Sequence, residues 1–360
     1  MDLFLTGATG AVGSNLLRHI LEARRDSSVY VLLRAGNDDE LRARSLPVLA
    51  NLSSEQAQRV VPVAGDVMLA DLGLGPNCQE WMGRIGEIYH VAACTSFCQT
   101  MEQASGTNLA GTKHVIDFAR RIRETGIPVH LHHVSTAYVS GKRTGTLREN
   151  ELESGQEFFN YYEWSKFEAE RLVRAAGLEL PATIYRPGII VGDSQTGHTS
   201  RFHGIYQILR GIHYGLIDSL PCEPEFQLDI TPVDYVSDAI VRLSQRNGDS
   251  TNKTFHLTAG PGNTLSLGEL VEVYLREGSL GNGSKYRPGS LHFSPCKNPL
   301  AESCASSNVW RRFSHYLPYV TCPKTFDNSV TRRSLPDLQA PDCREYLPKV
   351  VRFALESGFV

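Results

Sequence analysis

The sequence lacks the marks of a metal protein, a disulfide scaffold or a membrane protein. Its eight cysteines, at positions 78, 94, 98, 222, 296, 304, 322 and 343, include no C-x-x-C. The one close pair, Cys94 and Cys98, has no matching His or Cys cluster, which removes the grounds for a zinc site or a disulfide framework. No stretch approaches the roughly 18 to 20 apolar residues of a membrane span. A net charge of -3 leaves no basic surplus for nucleic acid, and no run of like charges reads as a tail. The apolar residues 3 to 5 run at once into T-G-A-T-G, so no leader is expected ahead of the first strand. Repeats and low-complexity tracts are absent too. These absences point to a reduced, cytoplasmic, globular protein acting on small or neutral partners.

What is present is a chain of 360 residues, 41% apolar and 21% charged, enough for one large domain and a subdomain. The first 190 residues alternate short apolar runs with amphipathic segments, the pattern of a parallel sheet covered by helices on both faces. Strands are expected at 2–6, 29–33, 60–64, 87–91, 129–134 and 182–186, with a last one at 253–258. In 205–217, Ile205, Ile208, Leu209, Ile212 and Leu216 fall at helical spacing and predict one apolar, core-facing stripe. Beyond residue 260 the chain grows richer in Gly, Ser, Pro and Cys. The expected layout is a nucleotide-binding domain over 1–191, completed by about 226–258, with a smaller, discontinuous substrate-binding subdomain over 192–225 and 259–360.

G-A-T-G-A-V-G, from Gly7 through Thr9, Gly10, Ala11 and Val12 to Gly13, lies between the first strand and a helix beginning near Ala11. Glycines there allow a tight turn and a close approach of backbone to phosphate, and the free N–H groups of a helix start attract negative charge. The bland alternative is a structural glycine turn. Taken with the alternating pattern, the loop predicts a Rossmann-type doubly wound α/β sheet. Such a fold places an Asp or Glu at the end of the second strand when the ribose 2'-hydroxyl of NAD is bound. Here V-Y-V-L-L is followed by Arg34, a cation suited to a 2'-phosphate, so NADPH is favoured over a reading of Arg34 as a solvated surface residue. Asp26 precedes the strand and lies at its wrong end. Asp66, with Val67 after it, is either a contact to the adenine or a helix cap.

After the fifth strand comes V-S-T-A-Y-V-S-G, which delivers Ser135 and Thr136 to the carboxyl end of the sheet, where ligands bind. Tyr162 and Lys166, in N-Y-Y-E-W-S-K, are four apart on an expected helix and share one face. Spacing alone is weak, because Tyr138 and Lys142 repeat it. Val139, Ser140 and Gly141 read as strand end and turn, so that second pair is rejected. His130, His132 and His133 alternate faces along one strand with no evident carboxylate partner, and are read as packed histidines rather than metal ligands.

Six strings together resemble the extended short-chain dehydrogenase/reductase superfamily, and within it the thioester reductase and fatty acyl reductase branch. They are T-G-A-T-G-A-V-G, V-Y-V-L-L-R-A, G-D followed by L-G-L, V-S-T-A-Y-V, Y-R-P-G-I-I-V-G-D-S-Q-T-G and I-T-P-V-D-Y-V, spread over residues 1 to 260. The resemblance implies a catalytic Thr136, with Ser135 as its competitor, beside Tyr162 and Lys166. It implies that Pro187 to Ile190, including Ile189, is a loop lining the nicotinamide, and that Asn108 is structural. In His90-Val91-Ala92-Ala93 the sequence departs from an asparagine expected before the Ala-Ala pair, which affects the cofactor loop at Ala92.

The implied activity is NADPH-dependent reduction of an acyl thioester to an aldehyde, and on to an alcohol if a second hydride follows. Lys166 would hold the nicotinamide ribose and make Tyr162 more acidic. No adenylation or carrier module is evident, so an acyl-carrier protein would act in trans, with coenzyme A as the other acyl donor. Rival readings are a ketone or hydroxysteroid dehydrogenase, a nucleotide-sugar epimerase, and a non-catalytic NADP-sensing protein.

Overall fold

Apolar runs too short for helices are buried on both faces, and in that setting they pair as parallel strands. The computed structural model describes residues 1–217, 219–246, 248–280, 291–293 and 313–360. Seven strands form one parallel sheet: β1 (Asp2–Thr6), β2 (Val29–Leu33), β3 (Val60–Ala64), β4 (Ile85–His90), β5 (His130–Val134), β6 (Ala182–Pro187) and β7 (Thr254–Leu257). Their order across the sheet is β7-β6-β5-β4-β1-β2-β3. The order reverses between β1 and β4, so the ends of these two strands flank the crevice in which such sheets bind ligands.

Helices cover both faces. α1 (Ala11–Ala23) buries Leu16, Leu17, Ile20 and Leu21 and packs against α5 (Val233–Ser244) on one side. Each fully buried Leu or Ile contributes about 1.5–3 kcal/mol, so this stripe alone fixes α1 to the sheet. On the other side lie α2 (Gly111–Glu124) and α3 (Tyr161–Ala176), around Phe4, Phe118, Ile122 and Val173. A separate hydrophobic core joins α4 (Ile205–His213), α6 (Leu267–Leu280) and α7 (Cys343–Glu356). The strand Lys324–Phe326 then pairs with Gly145–Leu147. Beside it the buried carboxylate of Glu149 accepts the amides of Val330 and Thr331 at 2.6 and 3.0 Å. These contacts return the distal part of the chain to the carboxyl ends of the strands.

Several expectations change in detail. α4 stops at His213 because Gly215 takes a φ of +63°, so Leu216 is exposed and Ile217 is the buried residue instead. Ile189–Val191 is a short strand paired with Ile230–Pro232, where a loop was expected. Residues 137 to 140 form a 3-10 turn rather than a strand end. Gly141, at φ +57°, ends that turn, so Tyr138 and Lys142 share no helix; Tyr138 is buried while Lys142 reaches Glu157 at 2.7 Å.

His132 does have a carboxylate neighbour, Glu87, with Nε2 to Oε2 at 3.6 Å. Glu87 lies on the adjacent strand, where residue spacing gives no hint of it. Among the described residues there is nevertheless no group of three His, Cys, Asp or Glu that could hold a metal, and no helix long and apolar enough to cross a membrane. Cys296 and Cys304 lie outside the described residues.

Candidate active site

The glycine loop is shaped by close approach. Gly7 has a φ of +82°, and a Cβ on it would fall 2.6 Å from the Ala92 nitrogen. A Cβ on Gly13 would fall 2.1 Å from the Gly7 carbonyl oxygen. Neither position can carry a side chain without moving backbone. The N-cap of α1 is Gly10, which supplies no capping side chain, and the first turn holds no acidic residue. Ala11 and Val12 therefore open a helix whose terminal dipole and amides are uncompensated by side chains, with exposed Thr9 at the rim. This cradle fits the pyrophosphate of a dinucleotide.

At the end of β2, Arg34 projects with its side chain 66% exposed and its Nε 3.1 Å from Oδ2 of Asp66. Asp66 also accepts the Met68 amide at 2.9 Å. The two residues expected at the adenosine end are thus brought together, and Asp66 steers the guanidinium while leaving its outer nitrogens to solvent. Val67 is buried against Gly111, and its carbonyl accepts from Nδ1 of His114 at 2.8 Å.

His90 proves to be the hub of the cofactor loop. Thr112 spends its only hydroxyl proton on the Asn108 carbonyl, at 2.6 Å, so it must accept from Nε2 of His90, at 3.0 Å. With the ring proton on Nε2, Nδ1 accepts from the Thr6 hydroxyl at 2.9 Å. The Thr6 oxygen in turn accepts the Val91 and Ala92 amides, each at 3.2 Å. Burial, followed by the Lys166 charge, pushes the His90 pKa down to about 3, which keeps the ring neutral and this chain intact. Asn108 continues it, donating to the Cys94 carbonyl and to Oγ of Ser165, which itself donates to the Tyr162 carbonyl at 2.9 Å.

The catalytic candidates converge at the ends of β5 and α3. Ser135 is withdrawn from the site: its hydroxyl donates to Glu170 at 2.9 Å and is buried. The Thr136 hydroxyl accepts the Tyr138 amide at 3.3 Å, and it is the neighbour whose influence reaches the Tyr162 phenol, opposing the rise in pKa that burial causes. Lys166 is one turn on from Tyr162 and donates to the Val134 carbonyl at 2.8 Å. Burial lowers its pKa to about 8, opposed by Glu170.

The expected acidification of Tyr162 is not found. Burial pushes the phenol up to about 12, and the opposing influence is the Thr136 hydroxyl rather than Lys166. Tyr162 therefore holds its proton at neutral pH, the state a proton donor needs. Tyr161, 48% exposed, points away as the bland neighbour.

Sequence reasoning missed three groups. Glu170, fully buried, pairs with Arg186 at 2.6 Å behind the site. Phe97 packs its ring 5.7 Å from that of Tyr162. Tyr319, from the far end of the chain, stacks on Phe97 at 4.6 Å and borders a small cleft with Tyr138, Phe226, Asp229, Lys324 and Phe326. The R-P-G motif carried a signal for Arg186. Nothing local marked Phe97 or Tyr319.

A parallel seven-stranded sheet with a glycine cradle at its switch point and a Tyr–Lys pair beside it defines an NAD(P)-binding oxidoreductase fold of the extended short-chain dehydrogenase/reductase type. A family model described as male sterility protein matches residues 5–240, and the chain belongs to that family. It is 34% identical over 265 residues, 70% of its length, to a component of the linear gramicidin synthase of Brevibacillus parabrevis. It is 27% identical over 321 residues, 76% of its length, to a putative fatty acyl-CoA reductase, CG8303, of Drosophila melanogaster. The chain spans 5% of the first of these relatives and 57% of the second. Among solved structures, the terminal R domain from the myxalamid PKS-NRPS biosynthetic pathway superposes with a TM-score of 0.82 at 30% identity, covering 100% of this chain and 91% of that one.

Proposed function

We propose that the chain is an NADPH-dependent reductase that converts an acyl thioester, presented on a carrier protein or on coenzyme A, to the aldehyde. The observation that carries this reading is the Tyr162–Lys166 pair at the start of α3, with Lys166 bonded to the Val134 carbonyl at the end of β5, two residues before Thr136, and Ser135 held away by Glu170. The names of the relatives, a linear gramicidin synthase, a fatty acyl-CoA reductase and a PKS-NRPS R domain, support an acyl substrate. Arg34 supports NADPH over NADH.

The bound nicotinamide supplies a hydride. Thr136 and Tyr162 donate hydrogen bonds to the carbonyl oxygen, where negative charge develops, and Tyr162 passes its proton to that oxygen. Lys166 would hold the ribose side of the cofactor. Pro187, Ile189 and Ile190 would line the nicotinamide on one side, and Ala92, on the loop fixed by His90, would contact the cofactor as well. Collapse of the resulting hemithioacetal breaks the carbon–sulfur bond, leaving aldehyde and free thiol. A second round on the aldehyde would give the alcohol. We assign the acyl-binding role to the second core, around α4, α6 and α7.

The test is to incubate the protein with NADPH and an acyl-coenzyme A or acyl-carrier thioester while trapping aldehyde and titrating thiol. One thiol released per aldehyde, lost in Tyr162→Phe, supports the assignment; a Tyr162→Phe protein with normal turnover refutes it.

A further inference from the structure

The start of the catalytic helix is capped by a residue from the other end of the chain. Asn160, the N-cap of α3, accepts the Glu163 amide on its side-chain oxygen at 3.0 Å. The Glu163 carboxylate reaches back to the Phe159 amide at 3.1 Å. This is the logic of a capping box, with the return bond falling one residue before the cap. Tyr319 completes it. Its hydroxyl donates to Oε1 of Glu163 at 2.7 Å and accepts from the Asn160 side-chain amide at 3.0 Å.

The donor and acceptor count closes, since the single phenolic proton goes to the carboxylate and a lone pair takes the amide. Glu163 is completely buried, so this acceptor cannot turn to water instead. Burial raises the Glu163 carboxyl, and the Tyr319 bond, the Phe159 amide and the Lys324 charge oppose that.

The same tyrosine also builds the wall beside the reacting phenol. Its ring lies 4.6 Å from Phe97 with planes 8° apart, and Phe97 sits 5.7 Å from Tyr162 and 5.6 Å from Tyr316. Tyr138, two residues after Thr136, meets Tyr319 edge-on at 4.9 Å. Tyr319 thus touches the cap of α3, the neighbour of Tyr162 and the 3-10 turn that Thr136 caps. It lies in a short helix, Pro318–Thr321, directly before the strand that pairs with Gly145–Leu147.

We propose that Tyr319 is a positioning residue: through the Asn160–Glu163 cap and Phe97 it sets the Tyr162 phenol against Thr136, coupling the acyl-binding side of the chain to proton delivery. This rests on the reading of Tyr162 as the proton donor. Tyr162 is the second residue of α3, within the turn that the cap holds, so releasing the cap frees the side chain that must stay aligned.

Tyr319→Phe keeps the ring and its stacking and removes only the hydroxyl. The expected result is a fall in kcat of about tenfold, with the thioester KM and the NADPH dissociation constant unchanged. In protein labelled at the tyrosine ζ carbon, the Tyr162 resonance, assigned with Tyr162→Phe, should shift. In a double-mutant cycle, Tyr319→Phe in a Glu163→Ala background should add almost nothing. An unmoved Tyr162 resonance, a loss confined to KM, or additive losses in the cycle would overturn the proposal. The labelling arm needs no substrate. A wild-type protein that reduces no thioester therefore defeats the functional reading while the resonance still decides the role of Tyr319.

Discussion

Replacing Glu170 by Gln tests whether the ion pair behind α3 holds the catalytic helix to the sheet. Glu170 is 0% exposed and Arg186 3% exposed. The carboxylate accepts from Ser135 at 2.9 Å, from Arg186 at 3.0 and 2.6 Å, and from Arg174 at 3.1 Å. A glutamine keeps one acceptor oxygen but turns an amide toward the guanidinium, leaving the buried Arg186 charge uncompensated. Breaking such a pair from one side costs about 3–5 kcal/mol. At about 2.1 cal/mol/K per residue over a chain of 360 residues, that lowers Tm by roughly 4–7 °C.

The sign with pH follows from the carboxyl. Burial raises it, but the Arg186 charge and hydrogen bond, joined by the Arg174 charge and the Ser135 hydrogen bond, outweigh burial, so its pKa lies below the ordinary 4.5. A depressed carboxylate stabilises the fold above the unfolded pKa and loses that contribution as pH falls through the folded value. The gap between wild type and Glu170→Gln should therefore be full at neutral pH and close progressively below pH 4.5. Paired urea melts at neutral and acid pH measure it. A loss under about 1 kcal/mol at neutral pH, the range of an exposed pair, or a gap indifferent to pH, would refute the reasoning.

Three further outcomes are expected. Tyr162→Phe should lower kcat by about 10²- to 10⁴-fold while Tyr161→Phe leaves it unchanged, with NADPH affinity retained in both by fluorescence titration. Arg34→Ala should weaken NADPH about 10- to 100-fold, the loss of charged hydrogen bonds, and leave NADH nearly unaffected; equal losses for both cofactors would contradict a 2'-phosphate contact. Because the Lys166 pKa is lowered to about 8, kcat/KM of the free enzyme should fall as pH rises through 8, when the ammonium is lost. A profile flat through the ordinary lysine range would refute that role.

The strands were legible because most are buried on both sides, which turns the apolar run itself into the signal; β1 and β2 are wholly buried, and even the half-buried edge strand β3 falls where its apolar run puts it. Tyr162 and Lys166 were legible as a helical pair because Asn160 caps their helix locally. The choice between Ser135 and Thr136 was not, because it depends on Glu170, 35 residues on, claiming the serine. The raised pKa of Tyr162 was not legible for a similar reason: helical spacing places Lys166 one turn on, but burial by the tertiary fold is the largest influence on the phenol. Leu216 followed the helical period past the point where Gly215 breaks it. Tyr319 meets Glu163 across 156 residues, a contact that only the tertiary fold creates.

The most direct measurement is NADPH oxidation against a panel of acyl thioesters, ketones and nucleotide sugars, with products identified. The account predicts turnover of acyl thioesters with matched release of thiol and aldehyde or alcohol. Turnover confined to a ketone or a nucleotide sugar, with every thioester left intact, would contradict it.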